Sequence, residues 1–376
     1  MGFCSIIPSN ILRNIAENGT AEQKENAFQA LTACSRIRGQ RQVLNNIAII
    51  GMTATGTKRR TIYDAKHLST LPGVLKRSEG SPASSDKSIN EAYDGSGKTY
   101  DFFLNVLNRN SIDDRGLRLD STVHYRSGFN NAFWNGQQMI YGDGDGVIFN
   151  RFTKSLDVIA HELGHGVTQY EADLNYEDQS GALNEHFSDV FGSLVLQYAN
   201  NQTVTSASWL IGEGLFAPGI NGKALRSMKA PGTAYNDSTI GKDPQPAHMK
   251  NYVNTTDDNG GVHINSGIPN KAFYEFAKSL GGNSWSRAGR VWYTTLCNEL
   301  SSNATFQDCA NKTCKVAKDL YGASVASKCK AAWKKVGITA QAVGFAASSA
   351  GSKKSQAATK SPLPKKSPAS KKSGGK

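Results

Sequence analysis

His161-Glu162-Leu163-Gly164-His165 is the stretch from which the rest of the chain can be read. In an α-helix, residues i and i+4 stand one above the other, so the two imidazoles reach a single point in space. Glu162, rotated from them by about 100°, can address a water held at that point. Leu156, Val158 and Ile159 supply the apolar side of the same helix. His-Glu-x-x-His on a helix is the signature of a zinc hydrolase. Gly164 and Gly166 each cost about 1 kcal/mol in a helix interior, which points to close packing or a functional demand there.

A catalytic zinc takes three protein ligands and keeps its fourth position open. The next helical pattern carries Gly181-Ala182-Leu183-Asn184-Glu185-His186-Phe187-Ser188-Asp189, with Leu183, Phe187, Val190, Phe191 and Leu194 as its buried stripe. Glu185 and Asp189 are again i and i+4, off that stripe. One carboxylate can bind the metal while the other accepts the free ring N–H of a ligand histidine. His186 points about 100° away from Glu185 and reads as structural or surface. Two histidines and one glutamate leave a zinc-held water with a pKa near 7, and the oxyanion that forms when it attacks an amide needs a further donor. Asp258-Asn259-Gly260-Gly261-Val262-His263 offers one: a turn presenting His263, with Asp258 placed to orient it or raise its pKa.

Outward from this centre the chain divides. Ser9 is expected to cap a short helix with Ile11, Leu12 and Ile15 on one face, stopped at Asn18-Gly19. Thr20 and Gln23 form a capping box for a second helix with Ala27, Phe28 and Leu31 inward. Two such helices cannot make a core alone and should pack on something else. Residues 40–60 lose periodicity and end in Lys58-Arg59-Arg60. From about 60 to 150 the pattern is strands and turns, interrupted by a helix near 98–108, with Gly142-Asp143-Gly144-Asp145-Gly146 as a hairpin turn between two β-like runs. From about 155 to 340 helices dominate, so an α+β architecture with a cleft between two lobes is expected.

Eight of the lysines lie in residues 346–376 with no acid among them, so of the net +12 only +4 belongs to the rest. That Lys/Ser/Pro tail should be disordered. It reads as solubilising, with contact to nucleic acid or an anionic surface as the lesser alternative, since no aromatic side chain lies among the lysines. No apolar run is long enough to span a membrane. The N-terminus has neither the basic start of a secretory signal nor, with Ile6, a myristoylation pattern. The six cysteines form no zinc-finger or redox spacing, which leaves disulfides and redox compartment open.

Asn130-Asn131-Ala132-Phe133-Trp134, the two helical motifs, Ala224-Leu225-Arg226-Ser227-Met228 and Asp258 to Gly267 occur in an order and spacing that resembles the thermolysin family of neutral zinc metallopeptidases, from about residue 60 to 340. Within that family the chain is most similar to the protealysin-like branch, whose short helical propeptide resembles residues 1–50. The resemblance implies a helical propeptide over 1–50, a β-rich N-terminal lobe over 60–155 and a mainly helical C-terminal lobe over 156–342 with zinc in the cleft; the lost periodicity and the composition add a linker or cleavage region over 51–59 and the tail over 343–376. The resemblance also implies His161, His165 and Glu185 as zinc ligands and Glu162 as general base. His263 would stabilise the oxyanion with help from Tyr176, Asp258 would hold His263, and Asp189 would hold His161. Arg226 would bind a substrate carbonyl, Asn131 and the Ala132 backbone would pair with the extended peptide, and Phe149, Val158 and Leu225 would line an apolar pocket selecting bulky hydrophobic residues.

The chain departs from the family at calcium. Asp157 and Glu213 match two carboxylates of the double-calcium cluster, but Leu196, Ser208 and Leu210 stand at the other three, and Lys223 replaces the acid of a further calcium loop. At most one weak calcium site is expected. The expected protein is a monomeric metalloendopeptidase made as a zymogen, acting on protein and peptide substrates. Its own propeptide would occupy the precursor's cleft, with the Cys4 thiolate as a lesser candidate for zinc's open position. The resemblance implies secretion by a route without a signal peptide, with a cytoplasmic location as the alternative.

Overall fold

A computed structural model describes residues 5–44 and 57–341. The expected tail, Cys4 and most of the expected linker lie outside them. Elements are named in chain order. Helices α1 (Ser9–Asn18) and α2 (Ala21–Leu44) form an N-terminal unit. Strands β1 (Arg60–Asp64) and β2 (Val74–Ser78), helix α3 (Lys87–Leu107), and strands β3 (Leu119–Val123), β4 (Ala132–Trp134) and β5 (Met139–Tyr141) form the β-rich lobe. Helices α4 (Leu156–Tyr170), α5 (Asp178–Ala199), α6 (Asp258–Asn265), α7 (Gly267–Leu280), α8 (Arg287–Asn298), α9 (Phe306–Tyr321) and α10 (Ala323–Lys335) follow, with short hairpins between α5 and α6. This is the expected α+β arrangement of a sheet lobe and a helical lobe.

The sheet runs in the order β2-β1-β3-β5-β4. Its central pairs β1–β3 and β3–β5 are parallel, and β4 closes one edge antiparallel to β5 with Phe133 opposite Ile140. An edge strand leaves one row of backbone groups free for another chain. In the neighbouring loops the expected hairpin at 142–146 is absent. Asp145 Oδ1 instead accepts the backbone N–H groups of Val147, Ile148 and Phe149, wrapping the chain into an Asx-type loop, and only Phe149 makes an isolated bridge, to Phe216. The helix expected near 98–108 begins at Lys87, capped by Asp86 accepting from Ser88 and Ile89. Gly95 and Gly97 interrupt the apolar pattern of its first half.

Helices α4 and α5 cross so closely that a Cβ on Gly192 would lie 2.5 Å from the Asp157 carbonyl oxygen. On the other face of α4, a Cβ at Gly166 would meet Ile112 at 2.9 Å and Trp134 at 3.4 Å. Close packing therefore accounts for glycine in a helix that glycine weakens. Behind α5 sits His186, fully buried, with Nδ1 2.7 Å from Asn270 Oδ1 and Nε2 accepting the Trp292 indole N–H at 2.7 Å. Burial pushes this imidazole down to about 4, so it stays neutral and bridges α5, α7 and α8. His186→Ala is expected to destabilise the fold by about 3 kcal/mol or more, by leaving a cavity and two buried polar groups without partners. An unchanged denaturant midpoint would contradict that role.

The N-terminal unit packs on this body through Ile6, Ile7, Ile11, Leu12 and Ile15, all buried in the main core. Two details differ from expectation. Helix α1 has no side-chain cap, because the capping position is Pro8 and Ser9 is already the first helical residue, its hydroxyl donating to Asp258 Oδ1 at 3.3 Å. On α2, Phe28 is exposed, while Ala27 and, partly buried, Leu31 face inward as expected and are joined by Ala30 and Ala33, whose small side chains suit a helix lying close to its neighbours. The capping box forms as read: the Thr20 N–H reaches Gln23 Oε1 at 2.7 Å and the Gln23 N–H reaches Thr20 Oγ1 at 3.4 Å.

Candidate active site

Helix α4 presents His161 and His165 on one face, and their Nε2 atoms lie 3.1 Å apart. Glu185, on α5, places Oε2 3.5 Å from His161 Nε2 and Oε1 3.4 Å from His165 Nε2. Zinc bound at 2.0–2.1 Å holds tetrahedral ligand atoms about 3.3 Å apart, so these three edges fit the ion. The opposite ring nitrogens are occupied. His161 Nδ1 lies 2.8 Å from Asp189 Oδ1, and His165 Nδ1 lies 2.8 Å from Asn184 Oδ1 and 2.9 Å from Ser188 Oγ. A proton on each Nδ1 leaves two Nε2 lone pairs facing each other, an arrangement a cation satisfies. Glu185 Oε2 adds a buried acceptor with no hydrogen bond among the described residues. The donor set of two imidazoles and a carboxylate suits zinc.

The electrostatics favour positive charge here. Burial opposes an imidazolium at His161, but Asp189 and Glu185 outweigh it and hold the ring up to about 9. Burial acts against the Glu185 anion too, yet the surrounding histidines hold its carboxyl well below the usual range. Asp189 is likewise held low against burial by Arg226, whose Nη2 and Nε donate to it at 2.8 and 2.9 Å, while Asn270 Nδ2 donates at 2.8 Å. Asp189→Asn is expected to weaken zinc binding by about 10–100-fold, since the partner that orients His161 loses its charge. A chelator competition on the folded variant reads this directly, and equal affinity would remove the role.

Glu162 is fully buried and its Oε2 accepts the Trp134 backbone N–H at 3.0 Å. Burial, reinforced by the Glu185 charge, pushes its carboxyl up to about 8. Its Oε1 has no hydrogen bond among the described residues. Across the site, His263 Nδ1 meets Asp258 Oδ1 at 2.8 Å, and its Nε2 lies 3.3 Å from the Tyr176 hydroxyl and 3.5 Å from Glu185 Oε2. Burial lowers the His263 pKa, but the charges of Asp258 and Glu185 raise it to about 9. The Tyr176 hydroxyl also donates to Glu185 Oε1.

The residues expected to bind peptide meet a peptide of this same chain. The Ile6 N–H donates to the Ala132 carbonyl at 3.2 Å, the Ile7 N–H to Asn131 Oδ1 at 3.1 Å, and Arg226 Nη1 to the Ile6 carbonyl at 3.1 Å. His263 Nε2 lies 3.0 Å from the Ser5 carbonyl. Phe149, Val158 and Leu225 are buried in the core cluster that also holds Ile6 and Ile7. At the expected calcium positions, Asp157 is buried and its oxygens accept from Ser155, Val158 and Gly212, while Glu213 is exposed. The sequence reading assigned no role to Trp134, Asn184, Ser188 or Asn270. Asn184 and Ser188 sit inside the quoted motif, where helical neighbours of Glu185 and Asp189 could have been asked what they hold.

Comparison with known proteins agrees with this geometry. Residues 42–169 match the family described as thermolysin metallopeptidase, catalytic domain, and residues 172–338 match the thermolysin metallopeptidase alpha-helical domain. The chain is 52% identical over 337 residues to an extracellular metalloprotease of Pectobacterium carotovorum subsp. carotovorum, covering 89% of this chain and 96% of that protein. It is 46% identical over 342 residues to protease PrtS of Photorhabdus sp. (strain Az29), covering 89% and 92%. Among solved structures it is similar to the precursor of protealysin, a metalloproteinase from Serratia proteamaculans, with a TM-score of 0.83 and 51% identity over 89% of this chain and all of that one. With a His-His-Glu zinc site between a sheet lobe and a helical lobe, the chain belongs to the thermolysin family of zinc metallopeptidases, in its protealysin-like branch.

Proposed function

We propose that this metallopeptidase is made as a latent endopeptidase, works outside the cell, and cuts on the N-terminal side of bulky hydrophobic residues. The observation that carries the chemistry is the buried triangle of His161, His165 and Glu185 with the uncommitted Glu162 Oε1 in the same cleft. Zinc, when bound, polarises the scissile carbonyl and lowers the pKa of the water that attacks it. Glu162, whose raised pKa suits proton exchange near neutrality, takes that water's proton and delivers it to the leaving amine. His263, kept protonated by Asp258, donates to the developing oxyanion together with Tyr176. Arg226 donates to a substrate carbonyl, as it does to that of Ile6. Asn131 and the Ala132 carbonyl align the peptide backbone as an added edge strand.

Specificity for an apolar side chain rests on Phe149, Val158 and Leu225, three buried apolar residues beside this cleft's elements. Calcium plays at most a weak part, since Asp157 already spends its oxygens on protein donors. The extracellular location is supported by the Pectobacterium relative, named an extracellular metalloprotease; no helix among the described residues is long and apolar enough to cross a membrane. The test is to map cleavage of a mixed peptide pool before and after a chelator strips the metal. Cuts should fall before Leu, Phe and Ile, vanish on stripping and return with zinc. Activity that survives stripping, or cuts indifferent to the following residue, would overturn the reading.

A further inference from the structure

His67 and His124, far apart in sequence, are brought together beside the sheet by two turns that both run through left-handed backbone. Lys66, His67, His124 and Arg126 have φ of 51°, 60°, 54° and 55°, a conformation that costs a non-glycine residue about 1–2 kcal/mol. The His67 N–H donates to the His124 carbonyl at 2.9 Å, which locks the two turns to each other. Their rings end 5.4 Å apart. Asp143, from the loop after β5, lies between them: its oxygens are 2.8 and 3.0 Å from His124 Nδ1, and Oδ2 is 3.6 Å from His67 Nδ1.

We infer that His67, His124 and Asp143 form a second metal site, for a zinc-class divalent cation, at the seam between helix α2 and the β-rich lobe, with Glu22 of α2 as a further donor. The donor atoms of His67, His124 and Asp143 all lie within 4.8 Å of one another. The 2.8 and 3.6 Å edges bracket the roughly 3.3 Å separation of ligands in a tetrahedral zinc site. Two imidazoles with one carboxylate favour zinc over calcium, which takes oxygen ligands. The outer support is built as well. The second ring nitrogen of His124, Nε2, lies 2.8 Å from Asp86 Oδ2, the same carboxylate–histidine pairing that Asp189 and His161 make in the active site. Asp86 is itself fixed as the N-cap of α3.

Space and charge fit too. A cavity of about 320 Å³ adjoins the group and is lined by Glu22 and Asn26 of α2 together with His67, Ser127, Asp143 and Asp145. It has room for an ion with bound water, and three carboxylates line it. Binding exchanges one cation for another: zinc takes the place of the proton shared by His124 Nδ1 and Asp143, and that proton leaves to solvent. An ion here would tie the N-terminal unit to the β-rich lobe through α2, in addition to the Ile6–Ile7 contacts.

The test counts zinc on the full chain carrying Glu162→Gln, which keeps it from cutting itself. After dialysis against zinc and removal of free metal, two equivalents are expected. His67→Asn, chosen because Asn tolerates the left-handed backbone and His67 is largely exposed, should retain one equivalent and melt as before without zinc. Asp86→Asn, still able to cap α3, should weaken the second equivalent by about 10–100-fold, and Glu22→Gln should weaken it as well. His161→Ala should remove the first equivalent and leave the second, so that failure of the catalytic site is read separately. A single equivalent on the starting chain, or a second one indifferent to His67→Asn, overturns the site; a second equivalent indifferent to Glu22→Gln overturns the bridge to α2.

Discussion

Replacing Glu162 by Gln is expected to lower kcat/KM for peptide hydrolysis by about 10³-fold, equivalent to about 4 kcal/mol of lost transition-state stabilisation. Gln keeps the shape and can still accept the Trp134 N–H that positions Oε2 at 3.0 Å. What it loses is the ability to hold a proton and give it up. The environment is arranged for that exchange, because burial and the Glu185 charge push the Glu162 carboxyl up to about 8. His161, His165 and Glu185 remain, so zinc content should be unchanged, and KM should move far less than kcat. A variant that loses metal together with activity would make Glu162 a structural support of the site. A variant that keeps its rate would hand the proton transfer to another group, and His263 is the one next to be tried.

How much of this was legible in the chain depends on whether helical spacing linked the residues. His161, His165, Glu185 and Asp189 come as i, i+4 pairs on two helices, and that period converts sequence distance into proximity. The structure accordingly brings the three candidate ligands to within 3.5 Å of each other. Tyr176 sits in a loop and Arg226 in a two-residue strand too short for a period to apply, and only the family resemblance pointed to them. Helix α3 was half hidden because Gly95 and Gly97 break its apolar stripe, although the Asp86 cap was there to be read. Phe28 misled because apolar character was taken for burial, while close approach of α2 selected alanines. At 142–146, turn residues between β-like runs suggested a hairpin, but Asp145 satisfies three backbone donors at once and removes the need for a strand partner. His67 and His124 share no periodicity at all, so nothing local could pair them.

Removing the N-terminal unit is the other large effect expected. A chain beginning near Thr57 should hydrolyse a peptide at least about 100-fold faster than the intact chain, compared by initial rates before the linker is cut. Ser5, Ile6 and Ile7 contact His263, Arg226, Ala132 and Asn131, so a substrate seeking those groups must first displace them. The competitor is tethered, and tethering alone raises effective affinity by about 10²–10⁴-fold when the linker spans the sites. Its grip is also apolar: Ile6, Ile7, Ile11, Leu12 and Ile15 are each buried, and every such side chain contributes about 1.5–3 kcal/mol against leaving. Ile7→Asp in the intact chain separates this from a mere folding aid. It would bury an unpaired carboxylate where Ile7 sits, which favours release of the segment, so that variant should approach the rate of the shortened chain without losing a residue. Equal rates for the intact and shortened chains would mean the segment yields freely to substrate. A fast Ile7→Asp chain beside a slow intact one locates the block in these few residues.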